Sequence, residues 1–258
     1  MRLTCDDVVL ALHTAPIDER TGNKVLYATS WLADRPSMIG KRNEDWVRRE
    51  LNWFVSGSNN LKDMEPPVPG AFQACAGTDG TVNSAYGHIL FGCNSRNDPD
   101  PELPEFTVGE HLAHRAFKAL RDDPATRHGV IIVSDRNVHG LHHKNGRNDF
   151  ICTNALNFMV EDGTNKLHLI VQMRSMDAVW GYRADYSMWD HLMDNMVTSL
   201  ERHHEGITRG DIIFQVANLH VYPRHFNLLE RAYQDAEARL TKQVFDNMYV
   251  RAAWGRKA

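Results

Sequence analysis

The chain has 258 residues, a formal net charge of −4 and four cysteines, Cys5, Cys75, Cys93 and Cys152. That length can build one large α/β domain with its own core, or two small ones, and the mildly acidic balance provides no global field for nucleic acid or an anionic membrane. The cysteines have neither metal-site pairing nor the density of a disulfide framework, which predicts a cytoplasmic protein kept reduced.

In chain order, MRLTCDDVVLALHTAP places Asp6 and Asp7 where a signal peptide needs its apolar core, so no leader is expected; VVLALH reads as a short helix. PIDERTGNK is turn-rich and KVLYATSWLA reads as a strand. EDWVRRELNWFV spaces Trp46, Val47, Leu51, Trp53 and Phe54 as an amphipathic helix from Glu44 to Val55, ended by Gly57 and Ser58. DMEPPVPG, TDGTVNSAYG and NSRNDPDPELPE are loops, and FTVGEHLAHRAFKALRDD is a helix stopped by Pro124. GVIIVSD is a short buried strand, followed by the polar loop VHGLHHKNGRND. YSMWDHLMDNMVTSLERHH spaces Met188, Leu192, Met196 and Leu200 as the core face of a helix, GDIIFQVANLHVYP is a strand, and RHFNLLERAYQDAEARL is a last helix. No repeat, low-complexity tract or long linker divides the chain, so residues 1–258 are read as one domain. No apolar run reaches membrane-spanning length.

The most informative stretch is DFICTNALNFMVED followed by KLHLIVQMRSMD. Two strands joined through Gly163 and Asn165 form a hairpin, which brings Cys152, early in the first strand, beside Arg174, late in the second. A fixed cation favours the thiolate, the nucleophilic form, below its free value of about 8.5. The competing reading is a small buried hydrophobe, the commoner use of a free cysteine.

Seven segments occur together in order: ERTGNK, RRELNWF, NSAYG, PATRHG, DFICTN, MRSMDAVWGYRADY and GDIIFQVANLHVY. Jointly they resemble the thymidylate synthase family, and within it most closely the deoxycytidylate hydroxymethylases of bacteriophages. The resemblance runs from about Arg20 to about Tyr222. It implies an α/β fold with a mixed sheet flanked by helices, the sheets of two subunits packed back to back in a homodimer. It also implies 5,10-methylenetetrahydrofolate as cosubstrate and a pyrimidine nucleoside monophosphate as substrate.

By the same resemblance Cys152 is the nucleophile that adds to carbon 6 of the pyrimidine and makes carbon 5 enamine-like. Arg20, Arg174 and Ser175 match phosphate contacts, with arginine offering forked donors. Arg127 matches an arginine donated across the dimer interface; the family commonly has a second arginine after it, where this chain has His128. Glu50 and Tyr86 match residues that organise water and proton transfers near the ring. His220 and Tyr222 resemble a pair that binds the sugar hydroxyl, and their alternation puts both on one strand face. Phe72, Asp177 and Gly181 match folate-side positions.

Asp185 stands where thymidylate synthases have an asparagine that pairs with uracil. A carboxylate accepts from the cytosine amino group and, when protonated, donates to ring nitrogen 3, so Asp185 points to a cytosine nucleotide. The plainer alternative is a surface aspartate capping a helix. Thr153 follows the cysteine where thymidylate synthases have histidine, and CTN looks like the hydroxymethylase version, in which water rather than hydride completes the product. Phe72 departs from both groups and leaves a reductive cytidylate methylase open, whereas the tail YVRAAWGRKA, unlike the short apolar closing segment of thymidylate synthases, implies a looser lid that admits water more readily. Deoxyribose and ribose are not distinguished by these residues. A fold retained for non-catalytic nucleic-acid binding is the alternative from another class; the acidic balance and Cys152 argue against it.

Overall fold

A computed structural model of the chain describes residues 3–91, 112–134, 140 and 142–254, without side-chain detail at 144 and beyond 243. In order these form α1 (Cys5–Thr14), β1 (Lys24–Leu32), α2 (Glu44–Ser56), α3 (Gly70–Cys75), α4 (Tyr86–Phe91), α5 (Leu112–Asp122) and β2 (Val130–Ile132). Then follow β3 (Thr153–Glu161), β4 (Lys166–Met173), β5 (Met176–Asp177), α6 (Trp180–Glu201), β6 (Thr208–Val221) and α7 (Phe226–Trp254). The expected proline-rich loop at 94–105 and the start of the helix containing Leu112 lie outside the described residues, as do parts of the loop at 135–141 and the last four residues of the tail.

The strands form one mixed sheet in the order β1-β6-β4-β3-β2. β4 runs parallel to β6, while β1 with β6, β3 with β4 and β2 with β3 are antiparallel. Alternation decides which face is covered. On β4, Leu167, Leu169, Val171 and Met173 are buried on one face while His168, Ile170 and Gln172 turn to the other. On β6, Ile212, Phe214 and Val216 are buried likewise. Burying each such side chain contributes about 1.5–3 kcal/mol. Helix α6 covers this inner face with Met188, Leu192, Met196 and Leu200, the stripe expected from their spacing, and α2 and α5 pack on α6. On the outer face, among the described residues, Tyr27, Ile132 and Met159 are exposed.

Two local features aim the chain at one end of the sheet. The β3–β4 register shifts between Thr153 and Ala155, a bulge immediately after Cys152. Beyond Met173 the chain leaves the ladder at Arg174 and Ser175 and rejoins β6 at Met176. The expected hairpin is present: Gly163 (φ 77°) and Asn165 (φ 53°) take left-handed turn conformations, and the Arg174 amide donates to the Cys152 carbonyl at 2.9 Å.

Candidate active site

Cys152 borders a cavity of about 710 Å³ formed between α2, α4, the start of α6 and the segment leading into β3. Helix α2 begins where Asn43 accepts from the Trp46 amide at 3.1 Å and ends at Gly57, in the left-handed conformation. Its buried stripe is Val47, Glu50, Trp53 and Phe54, so Glu50 is carried into the interior by the same periodicity that packs its apolar neighbours. On α6 the residues facing the cavity are Gly181, Ala184, Asp185 and Met188, again at helical spacing. Asp185 lies inside α6 and is 8% exposed, which replaces the helix-capping alternative.

The capping is done by Asp177, whose two oxygens accept from the amides of Val179 (2.9 Å) and Trp180 (3.3 Å) while the residue lines the cavity. Gly181 also borders it; a Cβ there would make only ordinary contacts, 3.5 Å from Asp177 at the nearest. Phe72 on α3 packs against Trp53 at 5.6 Å and forms another part of the wall. Across the opening Trp46 and Trp180 meet edge to face at 5.7 Å.

Tyr86 is fixed by an unusual use of its hydroxyl, which accepts from the amides of both Cys152 (3.3 Å) and Thr153 (3.1 Å). It thereby holds the backbone of Cys152 and keeps its own proton for another acceptor. Gly87 makes this position reachable: a Cβ there would lie 1.8 Å from the Phe54 carbonyl oxygen, so only glycine lets α4 cross α2.

Low solvent access inverts several expectations about charge. Burial pushes the Glu50 carboxyl up to about 8, with the Asp185 charge adding to it, and the Oε2 atom is buried without a hydrogen-bond partner. Burial raises Asp185 to about 7, with Asp177 contributing, and no described residue donates to its carboxylate. The Cys152 thiol is pushed up to about 11 by burial; Arg174 opposes this, and Asp185 and Asp149 reinforce it. The cation therefore acts in the expected direction, but burial outweighs it and the resting form of Cys152 is the thiol. Burial also drives the Tyr86 phenol well above its ordinary value.

A second cavity, about 740 Å³, adjoins the first through Tyr222 and Arg224. It gathers Arg20, Arg174, Ser175, His220 and Tyr222. Arg20 sits on a turn tied by Asp18, whose Oδ1 accepts from the amides of Arg20 (3.1 Å) and Thr21 (3.0 Å), and its side chain is 88% exposed. Arg174 is more constrained: Nε donates to the Ile151 carbonyl at 2.8 Å, Nη2 to that of Phe150, and the guanidinium lies over the Phe150 ring. His220 and Tyr222 share a face of the strand end, ring centroids 4.9 Å apart, and His220 is held by Asn218 at 3.0 Å. Burial lowers the His220 imidazole, favouring its neutral form.

Arg127 and His128 border neither cavity; they are exposed on the segment entering edge strand β2. Three wall residues escaped the sequence reading. Trp180 donates from Nε1 to His225 at 2.8 Å, Arg224 stands where the cavities meet, and Asp149 lies three positions before Cys152. The signal for Asp149 was its place within DFICTN; a lone acidic residue before an apolar strand otherwise looks like a solvated loop charge.

Comparison with known proteins agrees with this geometry. The thymidylate synthase family profile matches residues 40–250. The deoxycytidylate 5-hydroxymethyltransferase of Enterobacteria phage T4 is 30% identical over 239 residues, 90% of this chain and 89% of the relative. That of phage T2 is 30% identical over 235 residues, 88% of each. Among solved structures, thermostable thymidylate synthase A from Bacillus subtilis shares the fold, with a TM-score of 0.64 and 19% identity over 89% of this chain and 82% of the other. The chain belongs to the thymidylate synthase family.

Proposed function

We propose that this enzyme transfers a one-carbon unit to carbon 5 of deoxycytidylate and hydrates it to 5-hydroxymethyldeoxycytidylate, as a single catalytic domain working in the cytoplasm. The observation that carries the reading is Asp185: a buried carboxyl without a hydrogen-bond donor among the described residues, raised to about 7, bordering the same cavity as Cys152. Near neutral pH both its forms are populated. The ionised form accepts from the cytosine amino group and the protonated form also donates to ring nitrogen 3, a pairing that uracil does not offer.

Cys152 adds to carbon 6, forming the sulfur–carbon bond and making carbon 5 nucleophilic. Methylenetetrahydrofolate supplies a carbon at the oxidation level of formaldehyde. A cavity of about 710 Å³ with Trp46, Trp53, Phe72 and Trp180 on its walls fits flat rings stacked beside the pyrimidine, and Asp177 and Gly181 lie on that side. Glu50, protonated at neutral pH, is a hydrogen-bond donor toward the ring, and Tyr86, whose hydroxyl retains its proton to donate, helps order the water that carries protons beside it. Arg20, Arg174 and Ser175 hold the phosphate, and His220 with Tyr222 the sugar 3′-hydroxyl.

Arg127 and His128 reach phosphate from a second subunit in this reading. Their exposure beside the outer sheet face, where Tyr27, Ile132 and Met159 are exposed, supports a homodimer packed through that face. Sedimentation showing a monomer at micromolar concentration would remove this part. The deciding assay is the product mass from deoxycytidylate and methylenetetrahydrofolate, with deoxyuridylate in parallel. A hydroxymethyl product from the cytosine nucleotide alone is expected. A methyl product would move the enzyme to the reductive class, and turnover of deoxyuridylate would overturn the base assignment.

A further inference from the structure

We propose that Asp149 is the base that takes the proton from the water completing the product, an inference that rests on the hydroxymethyl reading above. Four carboxyl groups line the cavity that holds Cys152: Glu50, Asp149, Asp177 and Asp185. Adding water to a methylene carbon needs a group that can accept a proton as the oxygen–carbon bond forms. Glu50 is raised to about 8 and already carries its proton at neutral pH. Asp185 is assigned to the base edge. Asp177 has both oxygens engaged with the amides that start α6.

Asp149 differs from all three. Its Oδ2 accepts from the Ser84 amide and from the Ser84 hydroxyl, each at 2.7 Å, while its backbone carbonyl accepts from Asn83 at 2.9 Å. These bonds fix a side chain that is only 9% exposed. No described residue donates to Oδ1. The carboxylate is close enough to Cys152 for its charge to act on the thiol. The arrangement is that of an oriented acceptor with one oxygen tethered and the other free for a water.

The step balances as follows. Once carbon transfer is complete, the nucleotide carries an exocyclic methylene at carbon 5 and remains bonded to Cys152 through carbon 6. The water oxygen bonds to the methylene carbon, its proton goes to Asp149, and the methylene π electrons move into the ring. Those electrons then form the carbon 5–carbon 6 double bond as the sulfur–carbon bond breaks, releasing the hydroxymethyl nucleotide and the Cys152 thiolate, which recovers its proton from the cavity.

The test uses excess enzyme, methylenetetrahydrofolate and deoxycytidylate tritiated at carbon 5. Wild type should release tritium and form hydroxymethyl product together. In Asp149→Asn, tritium release should stay within about threefold of wild type while product forms about 100-fold more slowly. A covalent enzyme–nucleotide complex should then accumulate and be visible by intact mass. A folate-free arm follows the last step in reverse: 5-hydroxymethyldeoxycytidylate in oxygen-18 water should exchange its hydroxyl oxygen with wild type and about 100-fold more slowly with the variant, at unchanged nucleotide affinity. Product keeping pace with tritium release in Asp149→Asn overturns the proposal, and so do both rates falling by one factor. If that variant does not fold, Asp149→Ser, which retains a hydrogen-bonding group and lacks the base, is read by the same criteria. A methyl product from wild type overturns the hydroxymethyl reading itself, before any variant is made.

Discussion

Cys152, Glu50 and Asp185 border one cavity, whereas Arg20, Arg174 and Ser175 line its neighbour. In the first, burial displaces the Cys152 thiol, the Glu50 and Asp185 carboxyls and the Tyr86 phenol toward their neutral forms. In the second, the Arg20 side chain is 88% exposed with Asp18 3.6 Å away, and Arg174 is tied to the Ile151 and Phe150 carbonyls. The two cavities share Tyr222 and Arg224 in their walls, and Arg174 of the second lies over the Phe150 ring of the first. The difference teaches that a residue's type alone does not set its state: burial favours the protonated forms of Glu50 and Asp185, while Asp18, on an exposed turn, is held below its usual range by Thr21.

The sharpest way to break this division is Cys152→Ser, expected to lower turnover by about 10⁴-fold or more while calorimetric deoxycytidylate affinity is retained. Comparable turnover in the variant would end the assignment. Next, Asp185→Asn should lower the ratio of kcat/KM for deoxycytidylate over deoxyuridylate by about 10³-fold or more. An unchanged ratio would take base reading away from this residue.

The second cavity should answer differently. Arg174→Ala is expected to raise the nucleotide KM about 100-fold, against about tenfold for Arg20→Ala, because Arg174 is held in place by two backbone carbonyls and Arg20 is not. Only the Arg174 variant should also move the pH midpoint of Cys152 alkylation upward, since that guanidinium lowers the thiol. Equal KM effects and no shift in the alkylation curve would erase the distinction.

The smallest expected effect concerns stability. Glu50 binds its proton more tightly folded than unfolded, so its contribution is fully present below about 4.5 and is lost as pH rises through about 8. Glu50→Gln should therefore raise the melting temperature by several degrees at pH 8 relative to wild type and change it little at pH 5. The same shift at both pH values would argue that packing rather than ionisation is responsible.

Much of the framework was legible because it rests on local periodicity. Helix α2, the hairpin through Gly163 and Asn165, and the Met188–Leu200 stripe all follow from spacing and turn residues, although the first hairpin strand starts only at Thr153 and α6 begins at Trp180, well before the expected Tyr186. The pairing of Cys152 with Arg174 was legible for the same reason, since a hairpin's register is fixed by its turn. The chemical state of that pair was not. A sequence shows that a cation will be adjacent, but whether burial outweighs it depends on how α2, α4 and α6 close over the site. Asp177 and Asp149 teach a related lesson: the first spends its oxygens on amides two and three residues ahead, the second leaves one free, and nothing in their sequence surroundings tells them apart.

Gly87 has a consequence for reading variation in this chain. Its place against the Phe54 carbonyl leaves no room for any side chain, and its helix carries the tyrosine that grips the backbone of Cys152. In a saturation mutagenesis screen scored by activity, position 87 would look as intolerant as position 152, although it touches no reacting atom. Scored by cellular abundance instead, the two would part: substitutions at 87 would deplete the protein, while Cys152→Ser would accumulate normally.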